Sequence, residues 1–272
     1  MFRLSRGEPI VPLRPTSSPL SRLRLALVAG VAALVITGCA TSPMTTGSVG
    51  GPDFAAQSGA QRTQALSQLA AQYKKNPNDR TTTLYYSAAL RANGQPEQAI
   101  AVLENGVAQH RNDPVVMVAY AKALSAGGRF EQALTIVEGA IDPTAPDWNA
   151  LLVKGAILDQ MGKTDEARKT YQLGLKIAPN QPSLYANLGL SYAMTNELDL
   201  AEATLRKAVS LPGANTQIRQ NLALVIGLQG RFDEARALFA AELPPEAVES
   251  NMAYVKSLLT QQNRWDRVKA EG

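Results

Sequence analysis

Alanine returns at one fixed interval along most of this chain, at Ala65, Ala99, Ala133, Ala167, Ala201 and Ala235. A period of about 34 residues means an array of small units. Each unit is too short to hide its own apolar face and must hide it against its neighbours. Other columns keep the same phase. Gly94, Gly128, Gly162 and Gly230 recur, with Asn196 in the remaining place. Leu90, Leu124, Leu158, Tyr192 and Ile226 form an earlier apolar column, and Leu69, Leu103, Val137, Tyr171, Leu205 and Phe239 a later one. Between these marks the apolar spacing is helical. In 221–239, Leu222, Val225 and Ile226 precede Gly230, and Ala235, Leu238 and Phe239 follow it. The unit is therefore helix, tight turn, helix. Small Ala lets the paired helices approach closely. Gly closes the first helix in a left-handed conformation, which Asn also tolerates. Pro77 and Pro179 share one column and stop second helices.

The columns define five units, 80–113, 114–147, 148–181, 182–215 and 216–249. Residues 61–76 read as a lone second-type helix ahead of them. After Pro244-Pro245, residues 246–262 read as a capping helix with Met252, Val255, Leu258 and Leu259 as its apolar stripe, and 263–272 as a polar tail. The expected fold is an all-α solenoid over 61–262. Apolar residues make up 45% of the chain but aromatics only 6%, so the core must be built from Ala, Leu and Val, which suits close helix–helix packing.

The pattern resembles the tetratricopeptide repeat, a 34-residue helix–turn–helix unit that stacks into a solenoid with an inner groove. Tyr185, Leu188, Gly189, Tyr192, Ala201, Leu205 and Ala208 carry the likeness best. Lys154 departs from it where Leu is usual, and Thr83 and Arg219 where an aromatic is usual. The resemblance implies protein binding. It places Asn187 and Asn221, one period apart, in the groove, where an amide offers a donor and an acceptor to a peptide backbone. By the same analogy Leu152, Ala156, Leu190 and Leu224 face the groove and make it rather apolar.

The amino-terminal segment is of another kind. Five Arg and one Glu precede Cys39, and Leu25–Ile36 is an unbroken apolar run. A helix over that run covers about 18 Å, too short for a hydrocarbon core of about 30 Å. Residues 1–38 thus read as a signal peptide. Ile36-Thr37-Gly38-Cys39 resembles the lipobox of bacterial lipoproteins, which implies lipidation of Cys39, the single Cys, and, with Ala40 following, the periplasmic face of the outer membrane. Residues 39–60 form a Ser-, Thr-, Gly- and Pro-rich tether. Once 1–38 are removed the acids and bases balance, so the pI of about 9.2 is no argument for nucleic acid.

Nothing in the sequence builds a catalytic site. Gly162-Lys163-Thr164 lacks the earlier Gly of a phosphate loop, because position 157 is Ile157. His110, the single His, reads as a helix-terminal residue. Asp165-Glu166 and Asp233-Glu234 read as helix-dipole partners, and Tyr85, Tyr86, Tyr120, Tyr171, Tyr185 and Tyr192 as mostly core. One Cys and one His exclude an internal disulfide and a Cys/His zinc site. The expectation is a protein with no enzymatic activity, cofactor, metal or small-molecule substrate.

The ending NLALVIGLQGRFDEARALFAAELPPEAVESNMAYVKSLL narrows the resemblance. With the lipobox and the repeats, it is similar to the tetratricopeptide-repeat lipoproteins of the tight-adherence (Flp pilus) assembly system, TadD type. That resemblance implies a docking or assembly factor whose partner is the outer-membrane secretin or another pilus component, held at the membrane by its lipid. The alternative is a general periplasmic scaffold for envelope biogenesis or control of cell-wall enzymes.

Overall fold

A computed structural model describes residues 59–271, with side chains through Thr260. Residues 1–38, read above as a signal peptide, Cys39 and the stretch read as a tether through residue 58 lie outside the described residues. Twelve helices are described. The lone first helix is α1 (Gly59–Lys75). The five units follow as α2 (Arg80–Ala92) with α3 (Pro96–Gln109), α4 (Pro114–Ala126) with α5 (Phe130–Gly139), α6 (Trp148–Gln160) with α7 (Thr164–Ile177), α8 (Pro182–Met194) with α9 (Leu198–Ser210), and α10 (Thr216–Leu228) with α11 (Phe232–Ala240). The chain closes with α12 (Pro245–Glu271).

The period holds to the residue: first helices begin at 80, 114, 148, 182 and 216. The turn column has a backbone reason. Gly94, Gly128, Gly162 and Gly230 take φ of 71, 75, 73 and 82°, and Asn196 takes 66°. Each is the left-handed residue that reverses the chain between paired helices. The Ala column is fully closed at Ala99, Ala133, Ala167, Ala201 and Ala235. Ala65, on α1, is only half-buried because α1 has no first helix of its own to pack on. One further column lies just before the first helices. Asp79, Asp113, Asp147 and Asn215 cap α2, α4, α6 and α10 by accepting backbone N–H groups, whereas Gln181 makes no side-chain cap and α8 starts on Pro182 instead.

First helices pack on one another along the array, α2 on α4, α4 on α6, α6 on α8 and α8 on α10. Second helices pack on the first helices beside them. An array whose first helices touch and whose second helices are spread apart curves toward the first helices, which therefore line its inner face. At the far end α12 lies across both α10 and α11, burying Val248, Met252 and Val255. It runs on through the segment read as a polar tail, since no Gly or Pro interrupts residues 246–271.

The three departures from the repeat pattern each have an identifiable role. Lys154 reaches back to Glu138 Oε1 on α5 at 2.8 Å. Arg219 donates to both oxygens of Glu242, past the end of α11, and to the Ala214 carbonyl at 3.0 Å. Thr83 is buried against Gly106, where a Cβ would stand 2.8 Å from its methyl. Of the six tyrosines read as mostly core, only Tyr171 is fully buried; the other five are half-buried at the edges of the helix layers.

Units four and five are also tied on the outside by charge. Glu202 on α9 accepts from Arg206 at 2.8 Å and from Arg231 at 2.8 Å. Glu234 on α11 accepts from the same two arginines. Burial works to raise the Glu202 carboxyl, but hydrogen bonds from Arg206, Arg231 and Gln229 together hold it below the usual range.

Candidate inner groove and its supports

The groove is made by the first helices, so its walls repeat with the period of the units. Each inner first helix is covered by second helices behind it and by first helices on both sides, while α2 meets one first helix and α10 lies between α8 and α12. Only a narrow strip of each therefore reaches solvent. Asn187 on α8 and Asn221 on α10 are half-buried. The Asn187 amide donates to the Ser183 carbonyl at 2.9 Å, and the Asn221 carbonyl accepts from Gln217 Nε2 at 3.0 Å. The two amides are thus braced in opposite senses. These bonds engage the NH₂ of Asn187 and the oxygen of Asn221, so each uses a different half of the amide.

The apolar lining needs correction. Leu152 and Leu224 are 0% and 3% exposed and belong to the core, and Ala156 is 5% exposed. Neighbouring first helices close over them. Leu190 remains half-buried and accessible at its edge. The groove floor is apolar, but what it offers to a ligand is mostly the polar strip above that floor.

Two half-buried cations on first helices escaped the sequence reading. Lys122 on α4 stands in the same column as Ala156, Leu190 and Leu224, and Arg91 on α2 stands in the column of Asp159. Both are half-buried. Lys122 Nζ is 3.4 Å from Asn149 Oδ1. Desolvation, with the neighbouring Arg91 charge, holds the Lys122 ammonium well below the usual lysine range, against a weaker pull upward from Asp147. Burial brings Arg91 down to about 10. Reading each repeat column for a charge at an otherwise apolar place would have found Lys122.

Behind the groove a buried polar cluster pins unit three to unit four. Asp159, on α6, is 4% exposed. It accepts from the Tyr171 hydroxyl of α7 at 2.9 Å and from the Ser191 hydroxyl of α8 at 2.9 Å. Burial raises its carboxyl to about 6, against the hydrogen bonds from Ser191 and Tyr171 and the Arg168 charge. Arg168 donates to the Ser191 carbonyl at 3.0 Å, pairs with Glu197 at 2.8 Å and lies over the Tyr192 ring, 4.4 Å from its centre. Gly155 lets the Tyr171 ring lie flat against α6, since a Cβ there would collide with it.

His110 ends α3 with its ring nitrogen 3.0 Å from the Asn78 carbonyl, as a helix-terminal residue would. Asp165-Glu166 and Asp233-Glu234 lie in the first turns of α7 and α11. Among the described residues no group of three or more His, Cys, Asp or Glu side chains could hold a metal ion, and no helix is long and apolar enough to cross a membrane.

Stacked helical hairpins with a continuous inner strip define an interaction solenoid, a class that works by holding segments of other proteins. Tetratricopeptide-repeat family models match residues 90–154, 182–215 and 219–241, and a TPR-repeat model matches 155–196. Together they span more than half of the chain, which belongs to the tetratricopeptide-repeat family. Human tetratricopeptide repeat protein 7B is 31% identical over 99 residues, covering 36% of this chain and only 12% of that protein. A thermophilic tetratricopeptide-repeat protein of Thermus thermophilus superposes with a TM-score of 0.59 at 23% identity, over 66% of this chain and all of the other. A tetratricopeptide-repeat protein of Parabacteroides merdae gives 0.63 at 12% identity, over 72% of this chain and 78% of the other. These likenesses fix the fold.

Proposed function

We propose that this protein is a non-enzymatic outer-membrane lipoprotein, lipidated at Cys39, that docks a partner segment in its inner groove during assembly of the tight-adherence (Flp) pilus. The partner on this reading is the outer-membrane secretin, whose localisation or oligomerisation it aids. What supports the docking role is that Asn187 on α8 and Asn221 on α10, one period apart, are half-buried with amides braced by hydrogen bonds within their own helices. The lipobox and the ending through Pro244-Pro245 support the more specific assignment.

The test is made in the native host. Cys39→Ser should release the protein from the outer-membrane fraction and reduce surface pili. Asn187→Ala combined with Asn221→Ala should lower co-purification of the secretin while leaving the melting temperature nearly unchanged. Normal piliation and adherence in a deletion strain, with a leaky envelope, would overturn the pilus role and favour the general envelope scaffold.

A further inference from the structure

The outer side of the array belongs to the second helices, and units three and four depart from the others there. Among the described residues four large apolar side chains are exposed, and three of them lie on this side: Leu173 and Ile177 on α7, each 43% exposed, and Leu200 on α9, 50% exposed. Their columns are otherwise mostly polar or small. Leu173 shares its place with Asn105, Gly139, Lys207 and Ala241, and Leu200 with Gln98, Gln132, Glu166 and Glu234. Leu173 and Ile177 are one turn apart, and Lys169 and Lys176 fall on the same helix face by their spacing from Leu173. On α9, Thr204 and Lys207 continue the face of Leu200 in the same way. Lys169, Lys176 and Lys207 are exposed, and among the described residues the ion pairs of α7 and α9 are made by other cations, Arg168 and Arg206. Of the nearby acids, Glu166 shares the α7 face, Glu202 is held by Arg206 and Arg231, and Asp199 accepts from Gln229. Helix α8 packs on both α7 and α9 and so sets their outer faces side by side.

We infer that the outer faces of α7 and α9 rest on an anionic phospholipid surface, with Lys169, Lys176 and Lys207 at the headgroups and Leu173, Ile177 and Leu200 entering the interface. The inference rests on the lipid anchoring proposed above and adds the orientation of the anchored array, whose inner face is then turned away from the membrane. Exposed Leu and Ile beside free Lys is the composition of a segment that lies in a lipid interface, where the lysine stems cover apolar neighbours and the ammonium groups stay in water. Protein interfaces, by contrast, are depleted of Lys. Shape agrees, since an array convex on this side meets a flat surface over neighbouring units alone, and the exposed apolar residues are confined to two such units. Each lysine near an anionic surface strengthens the contact about 5-fold. Residues 39–58 span about 65 Å when fully extended, and α7 lies three steps of the array from α1, about 30 Å along the inner seam. The anchor therefore reaches, and it makes a weak contact intramolecular.

The test uses the lipidated protein purified from its host and reconstituted on vesicles of phosphatidylcholine alone or of phosphatidylcholine and phosphatidylglycerol at about 3:1. With Cys39 occupied by lipid, Ala203→Cys supplies one free thiol, on an exposed position of α9, for an environment-sensitive fluorophore. The expected result is a blue shift and quenching by nitroxide-bearing phospholipid on the phosphatidylglycerol vesicles, and neither on phosphatidylcholine alone. Added salt weakens both effects. Lys169→Gln/Lys176→Gln/Lys207→Gln lowers the contact equilibrium about 100-fold, and Leu173→Ser/Leu200→Ser lowers it as well. If the protein floats with both kinds of vesicle but its label stays unquenched, or if quenching survives the triple variant, the membrane-facing assignment is overturned and the anchoring reading stands. If the lipidated protein floats with neither, the anchoring reading fails and the orientation with it. Loss of secretin co-purification in the triple variant, with no quenching of the native protein, marks the face as a protein interface and overturns the inference. The substituted side chains are exposed, so thermal midpoints should stay within about 2 °C of the native value. A larger fall assigns these residues to structure and overturns the inference.

Discussion

Two polar clusters tie successive units together, and they do it by opposite means. Between units three and four the Asp159 cluster is buried and small: one carboxylate, two hydroxyls and an arginine behind them. Between units four and five the Glu202 cluster lies outside, with two acids and two arginines sharing several hydrogen bonds. The buried cluster makes fewer bonds, yet each is harder to lose, because a stranded hydroxyl there finds no water. In the outer cluster Arg206, Arg231 and Glu234 are exposed, so water can take the place of a partner they lose, although Glu202 between them is largely covered. The number of bonds is therefore a poor guide to which joint matters more. Burial decides it.

The sharpest way to break this comparison is Gly155→Ala. The added methyl displaces the fully buried Tyr171 ring and pulls its hydroxyl from Asp159. Overpacking and the lost bond together should cost about 4 kcal/mol, read as a lowered urea midpoint.

Next in size is a dependence on pH. Asp159 binds its proton more tightly in the folded protein, with a carboxyl raised from 3.8 to about 6. Its contribution to stability is therefore greatest in acid and falls as pH climbs through that interval. Asp159→Asn removes this trend. The stability of the native protein minus that of the variant should decline by about 2–3 kcal/mol between pH 4 and pH 7 in paired urea titrations. A flat difference would mean that Asp159 is not held out of water.

The smallest effect belongs to the outer cluster. Glu202→Gln should cost about 0.5–1 kcal/mol at low salt and almost nothing at about 1 M salt. The Gly155→Ala penalty should be indifferent to salt.

What could be read from the sequence follows from where the information sits. The turn column was legible because a left-handed φ is demanded of a single residue, so Gly94, Gly128, Gly162, Asn196 and Gly230 announce it unaided. The Ala column was legible for the same reason: one small side chain satisfies one close approach. Asp159 was not. Its column reads Arg91, Ser125, Asp159, Ala193, Gly227, and the hydroxyls that make its burial tolerable come from α7 and α8. The groove falls between these cases. Column position gave the direction in which Leu152 and Leu224 point, but not that neighbouring first helices cover them. Asn187 on α8 and Asn221 on α10, one column along from Leu152, stay half-buried.

The way the helices are stacked also sets how the molecule yields to force. Its inner seam is continuous, α2 to α4 to α6 to α8 to α10, while the second helices fan outward from it. Such an arrangement behaves as a row of leaves bound along one spine. Each leaf can tilt a little without parting the binding, and small tilts add along the row. The span of the inner face from α2 to α10 is therefore an elastic length. A captured segment slightly too long or too short can be met by a change of curvature spread over several joints.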